Sequence, residues 1–353
     1  MNKNNSGSDF KVTIIVPCYN MEHKIGRLLE SLLIQTNTCF SVLIVDDGSK
    51  DKTMDAIEHY SNSFKEKGIS LTCIQQTNQG AASAINNALP LVDTEFFCLP
   101  DADDFYSEKY VEECLTFMDR NPDCGIVFTQ CRVYHQNDLK HPIGVLKRTD
   151  KFRCDNRALF KEFYLDKNVY FCPNYMIRTQ SFYNANNGRE IVGGKHGQNY
   201  QMILPLVYCT QVGYIENKLY NYVIYNNSDS HGARTINQRF DHIDGSYDVL
   251  VNTFLKINIP QEERAQYIQD VQQKNFILKA RVAVHYGDSV AFYSQTAHIL
   301  PDYMPSDLYK IIRYKNYPLY FSICSRILKC KEYLRNSPIR YSIKSLLNRI
   351  QNN

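Results

Sequence analysis

The 353-residue chain contains no tryptophan, no Cys-x-x-Cys pair and no apolar run approaching the roughly 18 residues of a membrane span. Missing tryptophan, beside plentiful tyrosine and asparagine, carries no functional message. Twelve cysteines scattered singly argue against a disulfide framework and predict reduced, mostly buried thiols. No spanning helix is expected, and the polar start MNKNNSGSDF lacks an apolar signal segment, so a cytoplasmic location is expected. A net charge of +3, with no basic stripe in the first two hundred residues, speaks against nucleic-acid binding. No Gly-x-Gly-x-x-Gly follows the first strand-like run, which disfavours a nucleotide-cofactor oxidoreductase.

What is present is alternation. Val12 to Val16 is a continuous apolar run closed by Pro17, as a strand buried on both faces reads. Ile25, Leu28, Leu29, Leu32 and Leu33 come next at helical spacing. Ser41 to Val45 is strand-like again, and Asp51 is placed to cap a helix reaching about Lys67. A strand near Leu71 to Gln75, a helix from Gly80 to Leu91, a strand at Glu95 to Leu99 and a helix from Ser107 to Asp119 continue the order. This βαβα order predicts an α/β fold with a mostly parallel central sheet flanked by helices. Beyond Cys124 the pattern loosens into aromatic-rich strands and loops, with a helix at Gln198 to Cys209 and a strand at Leu219 to Tyr225. After Asn237 the chain reads as a helical C-terminal extension, including Gln261 to Tyr286.

Ligands of such a sheet sit beyond the carboxyl ends of its strands. Three ends carry unusual polar groups: Pro17-Cys18-Tyr19-Asn20, Asp46-Asp47-Gly48-Ser49 and Pro100-Asp101-Ala102-Asp103-Asp104. Crowded acids repel, so something cationic is expected among them. Carboxylates one residue apart suit Mg²⁺ or Mn²⁺, which take oxygen ligands and share phosphate oxygens. Asp103 is the first choice as direct ligand, Asp101 serves the ribose or a metal-bound water, and Asp104 orients its neighbours. The plainer reading makes Pro17 and Gly48 strand-to-helix punctuation, Asp51 a helix cap and the acids a solvated turn.

Together the residues resemble the family 2 glycosyltransferases, which have the GT-A fold. The resemblance rests on Val-Pro-Cys-Tyr-Asn at 16 to 20, Val-Asp-Asp-Gly-Ser-Lys-Asp at 45 to 51, Asn78-Gln79-Gly80 with Asn86, and Leu-Pro-Asp-Ala-Asp-Asp at 99 to 104. It implies a nucleotide pocket shaped by Pro17 and Tyr19, with Asp46 or Asp47 accepting from a uracil-type N–H. Gly80 and Asn86 would line the donor with Asp101 and Ala102, and Asp101 and Asp103 would be the metal and donor carboxylates. A UDP-sugar donor, an Mn²⁺ or Mg²⁺ cofactor and a glycan or lipid-linked acceptor in surface polysaccharide synthesis are what such a resemblance implies.

One departure stands out. Inverting members carry a Glu-Asp pair opening a downstream helix, whose Asp deprotonates the acceptor hydroxyl; here Gln198-Asn199 takes its place. Amides hold hydroxyls but do not act as general bases near neutral pH. His196 is the favoured substitute, an imidazole that titrates near neutrality, with Glu190 and Asp229 behind it. His231, in Asn226 to His231, resembles a loop that closes over the donor and supplies a third metal ligand. Lys310 to Arg349 is basic with Glu332 its only acid, and Leu319, Ile323, Ile327 and Leu334 alternate with the bases. That tail suits peripheral contact with an anionic membrane at the inner face, or equally a helical cap.

The expected organisation is a catalytic domain over 1–235, its nucleotide-sugar part at 10–130 and acceptor part at 131–235, followed by a helical region over 236–353. The expected function is metal-dependent, inverting sugar transfer. The alternative is a catalytically silent nucleotide-sugar-binding protein that recruits partners, which the missing acid pair favours.

Overall fold

The computed structural model describes residues 10–146, 156–166, 172–187, 191–192, 197–225, 235–313 and 321–326. Chain contacts divide the molecule into two compact units, 1–226 and 227–353.

The first unit is built on one nine-stranded sheet. Strand β1 (Val12–Cys18) lies between β2 (Phe40–Asp46) and β4 (Phe96–Cys98), and β3 (Leu71–Gln75) lies outside β2; all three pairings are parallel. Burial of nearly every residue of β1 and β2 explains their unbroken apolar sequences, because helices cover both faces. Helix α1 (Ile25–Leu33) presents Ile25, Leu28, Leu29 and Leu32, all fully buried, at the spacing read from the sequence. The register pairs Cys18 with Asp46 and Asp46 with Gln75. Three strands therefore end level, and the polar residues beyond them emerge together.

The expected helix from Asp51 to Lys67 is two helices, α2 (Thr53–Glu58) and α3 (Ser61–Glu66). The Tyr60 N–H bonds the Ile57 carbonyl three residues back, a tightened turn that breaks the α register, and the Tyr60 hydroxyl donates to Glu30 on α1. Helix α4 (Ala81–Ala88) and a 3₁₀ turn at Leu89–Leu91 lead into β4.

Past β4 the sheet becomes mixed. The short β5 (Phe105–Tyr106) precedes helix α5 (Tyr110–Arg120), the long β6 (Cys124–His135) and β7 (Gly144–Leu146). Helix α6 (Asn156–Leu165), strand β8 (Tyr175–Arg178) and helix α7 (Thr179–Asn186) come next. Helix α8 (Gln198–Cys209) and β9 (Gln211–Ile224) complete the unit. β8 joins the halves by pairing antiparallel with β4 and β6; β9 runs parallel to β6 and antiparallel to β5. Helices α6 and α7 and the early start of β9 are features that the sequence pattern does not mark.

The second unit contains α9 (Ile236–Lys256), α10 (Gln261–Tyr286), α11 (Ser289–Thr296) and α12 (Ser306–Arg313). Thr235 and Gln238 form a reciprocal capping box at the start of α9. Gly287, at φ 80°, ends α10 in the left-handed conformation, and Asp288 caps α11 through the Ala291 N–H. Ala280, Ala283, Val284, Phe292, Leu308 and Ile311 form its core. No helix of the described residues is long and apolar enough to cross a membrane. Most of the basic tail, 314–320 and 327–353, lies outside them. Each described cysteine is a free thiol, and most are buried, as expected.

Gly213 on β9 faces α5 so closely that an added Cβ would lie 2.3 Å from the Phe117 ring and 3.1 Å from Val127. Gly213→Ala should therefore lower stability by ~1–3 kcal/mol, read as the urea midpoint at unchanged m value. Gly144→Ala, whose Cβ would meet nothing within 4 Å, should change stability by less than about 0.5 kcal/mol.

Candidate active site

Backbone and side-chain hydrogen bonds knit the first two strand ends into one rim. Asn20, a non-glycine residue at φ 53°, donates its N–H to Ser49 Oγ and accepts from the Lys50 N–H, both at 2.8 Å. Glu22 and Asp51 exchange bonds likewise, each carboxylate accepting from a backbone N–H at or beside the other residue. Asp51 also accepts from the Thr53 N–H, but the N-cap of α2 is Lys52, so Asp51 stands one residue before the cap position expected of it. Pro17 and Tyr19 sit on this rim. Tyr19 is 38% exposed, leaving its ring open to stack on a ligand.

Asp46 and Asp47 are buried beneath it. Asp46 accepts from the Ser49 N–H and hydroxyl and from Gln75 Nε2. Asp47 accepts from Gln76 Nε2 at 2.7 Å and from the Gln79 and Gly80 N–H groups at 2.8 Å. A carboxylate offers about four lone-pair positions, so each is largely committed to the chain itself. Asp47 shapes the loop carrying Gly80, and Asp46 holds the turn at Ser49. That loop needs glycine, since Gly80 has φ 89° and ψ 165°. No heavy atom beyond its neighbours lies within 4 Å of where a Cβ would stand.

Asn86 does something the motif did not suggest. Its amide donates to the Ile191 carbonyl at 2.7 Å and accepts from the Ile191 N–H at 2.9 Å. Gln201 on α8 grips Val192 in the same two-way manner, at 2.8 and 3.1 Å. Asn86 therefore anchors the segment entering α8. Gly197, at φ 83°, precedes that helix, and Gln198 and Asn199 form its half-buried first turn, which contains no acid. His196, Glu190, His231 and Asp229 lie outside the described residues.

The acidic turn after β4 rests on an aromatic pillar. Tyr106 stacks on Tyr110 at 3.8 Å between centroids and meets Tyr220 edge-on at 5.5 Å. Tyr220 donates its hydroxyl to Asp104 at 2.7 Å, and its oxygen accepts from the Asp101 N–H at 3.2 Å. Asp104, fully buried, also accepts from the Val223 N–H at 2.8 Å. It clamps the turn to β9 and orients its neighbours, as expected. Ala102 is buried; Asp103 is half-buried.

Asp101 is exposed to solvent. Crowding by protein, reinforced by the nearby Asp103 charge, pushes its pKa up to about 7. The cation expected among the acids comes from α1, which no motif marked. Lys24 Nζ lies 3.5 Å from Asp103 Oδ2 and 4.0 Å from the Tyr225 ring centroid. Arg27 donates to the Asp103 carbonyl and to the Tyr225 hydroxyl. The motifs imply only a general need for positive charge; the identity of the residues depends on how α1 packs beside the turn.

Among the described residues, no group of three or more His, Cys, Asp or Glu side chains gathers around a common point. Two carboxylates with open space beside them do fit a hard cation that completes its shell with water and phosphate oxygens.

A parallel half-sheet with a tyrosine after β1, a glycine turn after β3 and paired carboxylates after β4 gathers its polar groups where α/β domains bind ligands, beyond the carboxyl ends of the strands. Residues 13–184, just under half of the chain, match the model of glycosyl transferase family 2. It is 38% identical over 122 residues to chondroitin synthase of Escherichia coli, covering 34% of this chain and 17% of that protein. It is 35% identical over 114 residues to the poly(ribitol-phosphate) beta-N-acetylglucosaminyltransferase TarS of Staphylococcus aureus, covering 31% and 19%. The matched segments thus span less than a fifth of either relative. In three dimensions it resembles S. aureus TarS 1–349 in complex with UDP-GlcNAc, with a TM-score of 0.62 at 18% identity over 92% of both chains. It also resembles a mannosyltransferase of Pyrobaculum calidifontis in complex with GDP-Man and Mn²⁺, at 0.52 and 14% over 91% of this chain and 87% of that one. The fold is GT-A, as the motifs implied, with C-terminal helices.

The three donors converging on Asp47 make it the structural keystone of the Gly80 loop. Asp47→Asn, which removes one acceptor and turns an NH₂ toward backbone donors, should cost about 1–3 kcal/mol in urea unfolding and weaken UDP binding with it. A wild-type stability for Asp47→Asn would show that these bonds do not hold the loop.

Proposed function

We propose that this chain transfers a sugar from a nucleotide-diphosphate donor, a UDP-sugar in the first instance, to a glycan or lipid-linked acceptor in surface polysaccharide synthesis. The observation that carries the reading is the carboxylate pair Asp101 and Asp103, held by the buried Asp104 clamp after β4, the strand beside β1, whose end presents Tyr19. The match of residues 13–184 to the family model supports the reaction type, and the UDP-GlcNAc bound to the TarS fragment supports the donor class.

Each residue then has a physical task. Tyr19 stacks on the base, and the Gly80 backbone lets the donor approach closely. Asp101 and Asp103 would hold Mn²⁺ or Mg²⁺, which would supply positive charge to the diphosphate as it leaves. Asp104 keeps both carboxylates aimed without further reorganisation. Inversion requires a base on the far side of the sugar. His196 fills that role in our reading, with Gln198 and Asn199 holding the acceptor hydroxyl by hydrogen bonds. His231 is proposed as a third ligand. The basic tail is proposed to keep the protein at the inner face of the cell membrane, near a lipid-carried acceptor.

A silent nucleotide-sugar-binding protein is the second reading, favoured by the absence of an acid in the first turn of α8. Slow hydrolysis of nucleotide sugars, screened with and without Mn²⁺, separates the two: an enzyme cleaves at least one donor, and a silent binder cleaves none. Asp103→Asn should reduce Mn²⁺-dependent UDP-sugar binding and nearly abolish that hydrolysis. Hydrolysis that continues undiminished in EDTA would remove the metal from the account.

The raised Asp101 pKa gives a signed pH dependence. Below about 7 the carboxyl is protonated and a poor ligand, so Mn²⁺ affinity should climb as pH rises from about 6 to about 8, with proton release on binding. Calorimetry in buffers of different ionisation enthalpy measures that release, and Asp101→Asn should suppress it.

A further inference from the structure

Lys24 stands immediately before α1, at the positive end of the helix, where a cation is disfavoured by the helix dipole. Its side chain makes no cap. What holds the ammonium there is Asp103, 3.5 Å away, and the face of Tyr225, 4.0 Å from its ring centroid. Both partners are partly open, the Lys24 side chain at 36% and the Asp103 side chain at 26%. The contact is therefore one that water and ions reach, made by a flexible four-carbon stem.

Arg27, one turn further along, differs in kind. It bonds the Asp103 backbone carbonyl and the Tyr225 hydroxyl, groups whose charge is the same whether or not Asp103 carries a ligand. Arg27 is a positioning residue that fixes the turn. Lys24 instead bonds a carboxylate oxygen of Asp103, the side chain proposed to hold the divalent cation. Two positive charges about 4 Å apart repel strongly in a partly desolvated cleft, so the ammonium and the metal compete for Asp103. Once displaced, the ammonium needs another anion, and a lysine is suited to phosphate as a mobile point charge.

We propose that Lys24 is a switchable counter-ion: it neutralises Asp103 while the site is empty and moves to the donor's diphosphate when a divalent cation takes Asp103. Cation and nucleotide then bind cooperatively, and neither is held well alone. This rests on the proposed metal site at Asp101 and Asp103.

The test is a binding cycle on the full chain. Mn²⁺ affinity is measured by electron paramagnetic resonance with and without UDP, corrected for the Mn²⁺–UDP complex formed in solution. In the wild type, UDP should tighten Mn²⁺ by about fivefold or more, and by linkage Mn²⁺ should tighten UDP equally. Lys24→Met should bind Mn²⁺ alone more tightly than the wild type while losing most of that coupling. Lys24→Arg, which keeps the charge, should retain the coupling, and Lys24→Gln should repeat the Met result with a polar neutral side chain. Unchanged coupling in both neutral variants, at wild-type thermal midpoints, would overturn the proposal while leaving the metal site standing. No Mn²⁺ binding by the wild type would instead remove the metal site, and this proposal with it.

Discussion

Three carboxylates fall within four consecutive residues at 101–104, and their mutual repulsion is the constraint to which the surrounding structure responds. Each acid is handled differently. Asp104 is buried against Tyr220 and the Val223 N–H, so its carboxyl ties two distant parts of the chain together. Asp103 is met by Lys24, and its carbonyl by Arg27 and Tyr225. Among the described residues Asp101 has no such partner charge, and its carboxyl is left easily protonated near neutrality. One acid is thus committed, one compensated and one readily protonated, and the last two are the pair on which the proposed cation site rests.

The rim opposite is built on a different principle. There the acids serve as acceptors for backbone and amide donors: Asp46 for Ser49, Asp47 for the Gly80 loop, Asp51 for the start of α2. These bonds fix the turns that follow β1, β2 and β3. Asn86 and Gln201 extend the same amide bonding to Ile191 and Val192, which lead toward α8.

Much of this was legible because buried parallel strands and amphipathic helices leave strong periodic signals. β3, α8 and α10 fall at the expected bounds, and the three strand ends are marked by the polar residues just beyond each apolar run. The break at Tyr60 was not legible, since it depends on a single tightened turn rather than a change of pattern. Nor were α6 and α7, short helices in a stretch rich in aromatics, where apolar spacing fits strand or helix alike. Within the site, the sequence motifs marked the acids but could not distinguish scaffold from ligand. Asp47 and Asn86 proved to hold loops, because hydrogen-bond partners 30 to 105 residues away decide their roles. Lys24, Arg27 and Tyr225 carry no motif, and only the packing of α1 beside the acidic turn brings them together.

The central claim is that Asp101 and Asp103 hold a divalent cation beside a bound nucleotide. Crystals grown with Mn²⁺ and UDP, measured at the manganese absorption edge, test it directly by anomalous scattering. The account predicts one strong peak in bonding contact with the Asp103 carboxylate and with diphosphate oxygens, and Tyr19 against the base. Bound UDP on this rim with no manganese peak at the acidic turn, or a peak held by other residues, would contradict it.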